Sequence, residues 1–367
     1  MVVADFVSNN AILDFFYILF NGISEVPLFS SPITGILILA GVFLASRSAG
    51  IMMVISGLIG AGMAILLGAP YGLVAFGLFG YNSILTGMAF WSGPFVKPNK
   101  ATFFVSVFGA AVTAVVWMAM AHLMGDVFID KSWAIPGFTS SFIFTTWILM
   151  FATKRFGHDI WPEPLPPEAE ELIRASGNPI QVVEPNFKWT PGEFIKATLK
   201  GVSQVTFVEN WKTGVFWVVG LTLAFELAPL LTGQDRPWWT NAYTAQWNEF
   251  SPLYLGGVMA LVGSAIGVAM AILTKLPIPE IRAGLHGFNQ VLVMIALTSF
   301  IPLTPQAFMI AVLATISCSF VMPAFQRFFV TWGLPALTGP FVFTTWVFLL
   351  GISGFTNIPA GIGWSRP

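Results

Sequence analysis

Three long stretches of this chain carry no charged side chain, and they limit the folds that it can adopt. Residues 48–96, 283–326 and 328–365 lack Asp, Glu, Lys and Arg altogether. A helix needs about 20 apolar residues to cross the hydrocarbon core of a bilayer, so each stretch has room for at least one span. Lipid offers no partner for an unpaired backbone group, which favours helices in long apolar runs. With 56% apolar and 9% charged residues, the chain is predicted to be an all-α, polytopic membrane protein.

The chain also repeats itself. FIFTTW at 142–147 returns as FVFTTW at 341–346. Two further pairs of strings keep the same order, namely GISEV (22–26) with GVSQV (201–205), and GYN (80–82) with GFN (287–289). The order is kept while the spacing changes, as loop insertions in a duplicated unit would produce. We therefore expect two homologous repeats, and we read GISEV and GVSQV as the beginnings of helices.

Composition divides the chain into three parts. We predict repeat 1 at 19–155, a polar linker at 156–196 and repeat 2 at 197–354. The linker concentrates Pro and charged residues, which is typical of chain outside the bilayer. Repeat 2 contains an extra polar, Trp-rich segment at 232–250, which we place at an interface or in an external loop.

Each repeat is predicted to hold about five spans or pore segments. In repeat 1 these lie at about 33–47, 50–68, 71–92, 101–125 and 139–154. An odd number of crossings inverts repeat 2 relative to repeat 1, with a central pore near the midplane. GYN and GFN interrupt apolar segments at matching places. Irregular backbone at membrane depth is tolerated only where it is buried or lines a water-filled path, so we expect broken pore helices there.

The string LPALTGPF at 334–341, its partner IPGFTSSF at 135–142 and the two other pairs of strings together resemble the urea transporter family over about 19–354. The resemblance implies a homotrimer in which each protomer has its own pore. It also implies that urea moves down its gradient through a selectivity filter of aromatic slots and ladders of oxygen atoms.

The resemblance further implies a set of pore residues that come in pairs, one from each repeat. They are Glu25 and Gln204 at the two entrances, Leu28, Phe207, Tyr81 and Phe288 in the slots, Leu85 and Leu292 beside the slots, Asn82 and Asn289 at the broken helices, and Thr139 and Thr338 at the central constriction. Three residues depart from the family pattern. Leu28 stands where Phe is usual, Tyr81 adds a hydroxyl, and Ser141 replaces a Pro.

The chemistry of urea suits such residues. Urea is flat, neutral and strongly polar, so a filter must replace its water shell with acceptors for its N–H groups. Carbonyls at a broken helix end, carboxylates, amides and Thr hydroxyls supply these acceptors, and aromatic rings supply flat apolar walls. Coupling to an ion normally requires an ionisable residue in the path, and long charge-free stretches favour passive conduction instead.

Other function classes find little support. No His, Cys, Asp and Glu cluster has metal-ligand spacing, no phosphate-binding loop follows a strand, and no basic patch suggests a nucleic acid. We therefore predict no enzyme activity, no cofactor and no metal, and we read Cys318 as packing. A channel for ammonia or a short amide such as acetamide, or a non-conducting membrane receptor or scaffold, remains an alternative.

Localisation is predicted from what the termini and loops lack. The N-terminal segment carries Asp5 and Asp14 rather than a basic leader, and the chain has no Asn-x-Ser/Thr acceptor. These observations favour a multi-pass protein of the bacterial cytoplasmic membrane.

Overall fold

The computed structural model describes residues 11–93, 95–124, 135–157, 159–161, 187–232, 255–301, 303–352, 354–355 and 357. Most of the predicted linker and nearly all of the polar segment 232–250 lie outside these ranges. All regular elements within them are helical, as the sequence predicts.

The helices form two runs in the same order, called here copy 1 and copy 2. Copy 1 contains α1 Ala11–Ser24, α2 Pro32–Ala45, α3 Arg47–Leu66, α4 Tyr71–Phe76, α5 Gly80–Ala89, α6 Lys100–Met124 and α7 Ser140–Thr153. Copy 2 contains α8 Pro191–Ser203, α9 Trp211–Thr232, α10 Gly256–Leu273, α11 Ile278–Arg282, α12 Phe288–Phe300, α13 Pro305–Val330 and α14 Gly339–Ile352. Counterpart helices have similar lengths, except that α9 has 22 residues and α2 has 14. The domain boundaries proposed from the sequence stay predictions.

The predicted span at 71–92 is broken, as the GYN string suggested. The six-residue α4 ends at Gly77, which has a φ of 105°, and α5 begins three residues later. Gly284 marks the matching break between α11 and α12 with a φ of 84°. This left-handed conformation favours glycine. A Cβ on Gly77 would also lie 2.5 Å from the backbone of Asn21, so the break is packed directly against α1.

Four described helices are long and apolar enough to cross a membrane, and they form two matching pairs. They are α3 with α10 and α6 with α13, each with a mean hydropathy of 2.1 over its best window. The helices α7 and α14 have 14 residues each. At about 1.5 Å per residue such a helix is about 21 Å long, which is shorter than a hydrocarbon core of about 30 Å. These two helices therefore have the length of half-helices.

Two reciprocal hydrogen bonds show how the copies face each other. Thr34 Oγ1 of α2 donates to the carbonyl of Gly220 in α9 at 2.9 Å, and Thr213 Oγ1 of α9 donates to the carbonyl of Gly41 in α2 at 2.7 Å. Thr34 corresponds to Thr213 and Gly41 to Gly220 in the repeat. Residue numbers rise along α2 as they fall along α9, so these counterpart helices run antiparallel. The predicted inversion of the repeats is confirmed.

A second reciprocal pair joins the C-terminal part of each copy. Trp147 Nε1 donates to the carbonyl of Pro335 at 2.9 Å, and Trp346 Nε1 donates to the carbonyl of Pro136 at 3.0 Å. Both tryptophans belong to the repeated TTW string. Such exchange of identical contacts is the mark of a twofold relation. The most obvious sequence repeat thus lies at the interface of the two copies.

The close contact between α2 and α9 should be sensitive to a single methyl group. A Cβ on Gly41 would lie 2.8 Å from the Phe216 Cβ, so Gly41→Ala forces the two helices apart. We expect a loss of about 1–3 kcal/mol, measured as a lower apparent melting temperature of the purified protein in detergent. Gly62→Ala on α3 is the matched control, because a Cβ there meets nothing within 4 Å. Equal melting temperatures for both variants would contradict this packing.

Candidate functional site

Two matching turns carry the residues predicted for the pore entrances. The prediction that GISEV and GVSQV begin helices is wrong. Helix α1 ends at Ser24 within GISEV, and helix α8 ends at Ser203 within GVSQV. The physical reason is backbone conformation a few residues later. Leu28 and Phe207 have φ values of 67° and 59°, in the left-handed region. That conformation costs roughly 1–2 kcal/mol for a residue with a Cβ, and its presence in both copies indicates that the turn shape is required.

Two serines brace these turns. Ser24 Oγ donates to the carbonyl of Asn21 at 3.1 Å and accepts from the Ser31 backbone N–H at 2.9 Å. Its counterpart Ser203 donates through Oγ to the carbonyl of Val208 at 2.6 Å. Neither serine was among the site residues predicted from the sequence. Their signal was the identical residue at the same place in both strings.

The polar side chains at the two turns are held differently. Gln204 Nε2 donates to the carbonyl of Ala283 at 2.9 Å. This hydrogen bond fixes the amide group, and the side-chain oxygen takes no part in it. At the matching place in copy 1, the carbonyl of Phe76 accepts from Ser30 Oγ at 2.8 Å. The Glu25 side chain is 5% exposed, and its carboxylate has no hydrogen-bond partner among the described residues. Both turns therefore present a side-chain oxygen without a hydrogen-bond partner in the part of the chain that the structure describes.

Asn82 lies on the helix that follows the break of copy 1, and its side chain bonds to the backbone around the start of α7. Asn82 Nδ2 donates to the carbonyl of Phe138 at 3.1 Å, and its Oδ1 accepts from the Phe142 N–H at 3.4 Å. Tyr81 adds a donation from its hydroxyl to the same Phe138 carbonyl at 2.6 Å. Phe138 has a φ of 49°, so both side chains hold a left-handed residue just before α7.

Asn289 makes the same pair of bonds in copy 2. Its Nδ2 donates to the carbonyl of Leu337 at 3.2 Å, and its Oδ1 accepts from the Phe341 N–H at 3.1 Å. Leu337 has a φ of 51°, which matches Phe138. The counterpart of Tyr81 is Phe288, which has no hydroxyl, so the Leu337 carbonyl receives one side-chain donor where the carbonyl in copy 1 receives two.

The two threonines predicted for the central constriction meet between the copies. Thr139 Oγ1 and Thr338 Oγ1 are 2.6 Å apart, and either hydroxyl can donate. Both residues are buried, at 0% and 2% exposed. Since each residue is the counterpart of the other, this contact lies at the pseudo-twofold axis that relates the two copies.

Several buried hydroxyls of the half-helices α7 and α14 have no hydrogen-bond partner among the described residues. They are Ser140, Ser141 and Thr145 of α7 and Thr345 of α14. Buried polar atoms are nearly always paired in folded proteins. An unpaired set on these two half-helices is therefore a candidate path for a polar molecule. Ser141, a departure from the family pattern, contributes one of these oxygens.

Comparisons with known proteins agree with this geometry. The family model described as "Urea transporter" matches residues 3–130, 124–232 and 251–353. The chain belongs to the urea transporter family. It is 26% identical to urea transporter 1 of Ovis aries over 340 residues, covering 92% of this chain and 77% of that protein. It is also 26% identical to urea transporter 1 of Rattus norvegicus over 354 residues, covering 95% and 79%.

Membership of the urea transporter family settles several of the coarser predictions. The chain is an integral membrane protein and a transporter rather than an enzyme. The relatives named above are mammalian proteins, so a bacterial cytoplasmic membrane stays a prediction.

The predicted slot residues of this urea transporter occupy different environments. Phe207 makes edge contacts with Phe95 at 5.8 Å and with Phe142 at 6.1 Å between ring centroids. Its counterpart Leu28 is partly buried against the core but offers no ring. Phe288 is 9% exposed, whereas Tyr81 is 3% exposed with its hydroxyl bonded to backbone. The slots of the two copies therefore differ in their walls.

Leu85 and Leu292 are fully buried and lie on α5 and α12 in the core. This agrees with packing beside the slots rather than contact with a solute. The pore roles of all the predicted residues stay predictions.

The paired hydrogen bonds that Asn82 and Asn289 each make to the backbone should stabilise the fold. Asn289→Leu leaves the Leu337 carbonyl and the Phe341 N–H without this partner in a buried place, so we expect a loss of about 1–3 kcal/mol. Tyr81→Phe should cost less, about 0.5–1.5 kcal/mol, because Asn82 still donates to the same carbonyl. The measurement is the apparent melting temperature in detergent. A larger loss of stability in Tyr81→Phe than in Asn289→Leu would contradict this role of the asparagine.

Proposed function

We propose that the protein is a channel for the passive, facilitated diffusion of urea between its two inverted copies. The observation that carries the proposal is the buried contact between Thr139 and Thr338, together with hydroxyls on α7 and α14 that have no partner among the described residues. Urea has four N–H bonds and one carbonyl, and hydroxyls can both donate to it and accept from it. Breaking the Thr139–Thr338 contact frees two such groups for each passing molecule.

The entrances extend this path at both ends. The carboxylate of Glu25 and the side-chain oxygen of Gln204 can accept from urea N–H groups, since no described residue bonds to either of them. The side chains of Leu28 and Phe207 project from left-handed turns next to these acceptors and form the apolar walls. Tyr81, Phe288 and the two asparagines support the walls from the broken helices.

The lack of ionisable side chains in the central helices supports passive conduction. The sequences of α5, α7, α12 and α14 contain no Asp, Glu, Lys, Arg or His. Coupling to protons or sodium ions normally uses an ionisable side chain in the path. The proposed entrance carboxylate, Glu25, lies outside these central helices, and a neutral solute that moves between their neutral polar groups needs no such coupling.

Assembly and location belong to the same proposal. As in the family that the chain resembles, we propose a homotrimer with one pore in each protomer, embedded in a bilayer, and we place it in a bacterial cytoplasmic membrane. No nucleic-acid partner is expected.

The proposal is tested with the purified protein in liposomes. In an inward urea gradient the vesicles should shrink and then reswell faster than empty vesicles, at a rate that does not depend on proton or sodium gradients. Parallel runs with ammonia, water and acetamide identify the preferred solute. Reswelling no faster than in empty vesicles for any solute would favour a non-conducting receptor or scaffold.

The central hydroxyl is tested by Thr338→Val, which keeps the shape and removes the oxygen. We expect urea flux to fall by about tenfold, because a lost hydrogen bond of about 1–1.5 kcal/mol in the barrier corresponds to such a factor. Thr222→Val on α9 is the control, because this hydroxyl bonds only to the Val218 carbonyl of its own helix. Unchanged flux in folded Thr338→Val would assign Thr338 to packing.

A further inference from the structure

A buried acid and base lie close together in copy 2, outside the residues assigned to the pore. His286 Nε2 is 3.0 Å from Glu280 Oε2, and the two side chains are 3% and 14% exposed. The second oxygen of Glu280 has no partner among the described residues, so His286 is the group that satisfies this carboxylate. The cluster continues with Gln290, whose Nε2 donates to Ser319 Oγ at 3.2 Å.

Copy 1 fills the same positions with apolar side chains. Leu73 and Phe79 correspond to Glu280 and His286, and both are buried. Phe79 packs its ring against Trp117 at 4.6 Å between centroids. The fold is therefore stable with apolar residues at these positions. A buried ion pair is on average no more stabilising than such packing, which leaves the polar pair of copy 2 without a structural explanation.

The pair lies on either side of the backbone group that holds Gln204. Ala283 lies between Glu280 and His286 in sequence, and its carbonyl accepts from Gln204 Nε2 at 2.9 Å. The Leu285 N–H donates to the Glu280 carbonyl at 3.1 Å, which closes the segment into a compact turn. A stronger or weaker hydrogen bond between Glu280 and His286 therefore changes how firmly the segment 280–286, which contains the Ala283 carbonyl, is fixed.

We propose that Glu280 and His286 are positioning residues for Gln204, so that protonation of His286 holds Gln204 more firmly at the entrance of copy 2. A firmly held Gln204 keeps its side-chain oxygen in place to accept from urea, so urea flux rises. The inference rests on the proposed function, in which Gln204 lines that entrance. A protonated histidine forms a stronger, charge-assisted hydrogen bond to a carboxylate than a neutral one does. Histidine is the side-chain type that changes charge between about pH 5 and 8. Gln204 is therefore held more firmly when His286 is protonated than when it is neutral.

The charged groups around the pair come from few elements. On the side of α8, Arg282 Nε lies 3.6 Å from Glu193 Oε2, and Lys200 Nζ lies 2.7 Å from Glu209 Oε1. The packed helices α10 and α12 contain no charged residue or histidine, and α13 contains only Arg327, close to its C-terminal end. His286 is the histidine in this group, so the pH response of the entrance is assigned to it.

The test measures urea flux into liposomes with the same pH on both sides, at pH 5.5 and at pH 8. The unmodified protein should be about two- to fivefold faster at pH 5.5, the range that a hydrogen bond of changed strength supplies. His286→Gln and Glu280→Gln should each lose this dependence. His122→Gln is the matched control, because His122 is exposed on α6 and contacts only the Met118 carbonyl of its own helix. It should keep the dependence.

A double variant distinguishes positioning from general stability. If the pair acts through Gln204, Gln204→Ala should also abolish the pH dependence, and adding His286→Gln should change the flux no further. Equal flux of the unmodified protein at both pH values, or a wild-type pH profile in Glu280→Gln, would overturn the inference. If His286→Gln does not fold, these two measurements still decide. Failure of the proposed function looks different, because the unmodified protein would then carry no urea at either pH.

Discussion

Lipid offers no hydrogen bonds to a broken helix, and this constraint shapes the centre of the protein. At each break the backbone must find its partners inside the protein. Asn82 and Asn289, on the helices that follow the breaks, also satisfy the backbone where α7 and α14 begin, because each bonds both a carbonyl and an N–H there. Once these groups are satisfied, Phe138 and Leu337 can keep their left-handed conformation. That conformation in turn brings the adjacent threonines face to face.

The twofold relation preserves the backbone more strictly than the side chains. The left-handed residues, the breaks and the reciprocal contacts recur in both copies. The side chains have diverged, with Glu25 against Gln204 and Tyr81 against Phe288. Duplication thus supplies a symmetric frame, and substitutions make its two ends chemically different. The pair of Glu280 and His286 is another such difference, because an acid and a base replace the apolar packing of copy 1.

Much of this arrangement was readable from the sequence, because the charge-free runs require helices and the repeated strings reveal the duplication. GYN and GFN correctly marked the broken helices, and an odd number of spans gave the inversion. The ends of α1 and α8 were misread, since neither Leu28 nor Phe207 is a residue type that signals a left-handed turn. The contact between His286 and Glu280 was also missed. It depends on the path of a five-residue helix, which no periodic pattern describes.

The left-handed turns have a consequence for how this chain can change over evolutionary time. Branching at Cβ makes a left-handed backbone much less accessible. Valine, isoleucine and threonine are therefore poor replacements at 28 and 207, although they are common elsewhere in the spans. Drift at these two sites is channelled toward glycine, asparagine and unbranched or aromatic side chains. The backbone conformation, and not only the solute, thereby restricts which residues can replace Leu28 and Phe207 during evolution.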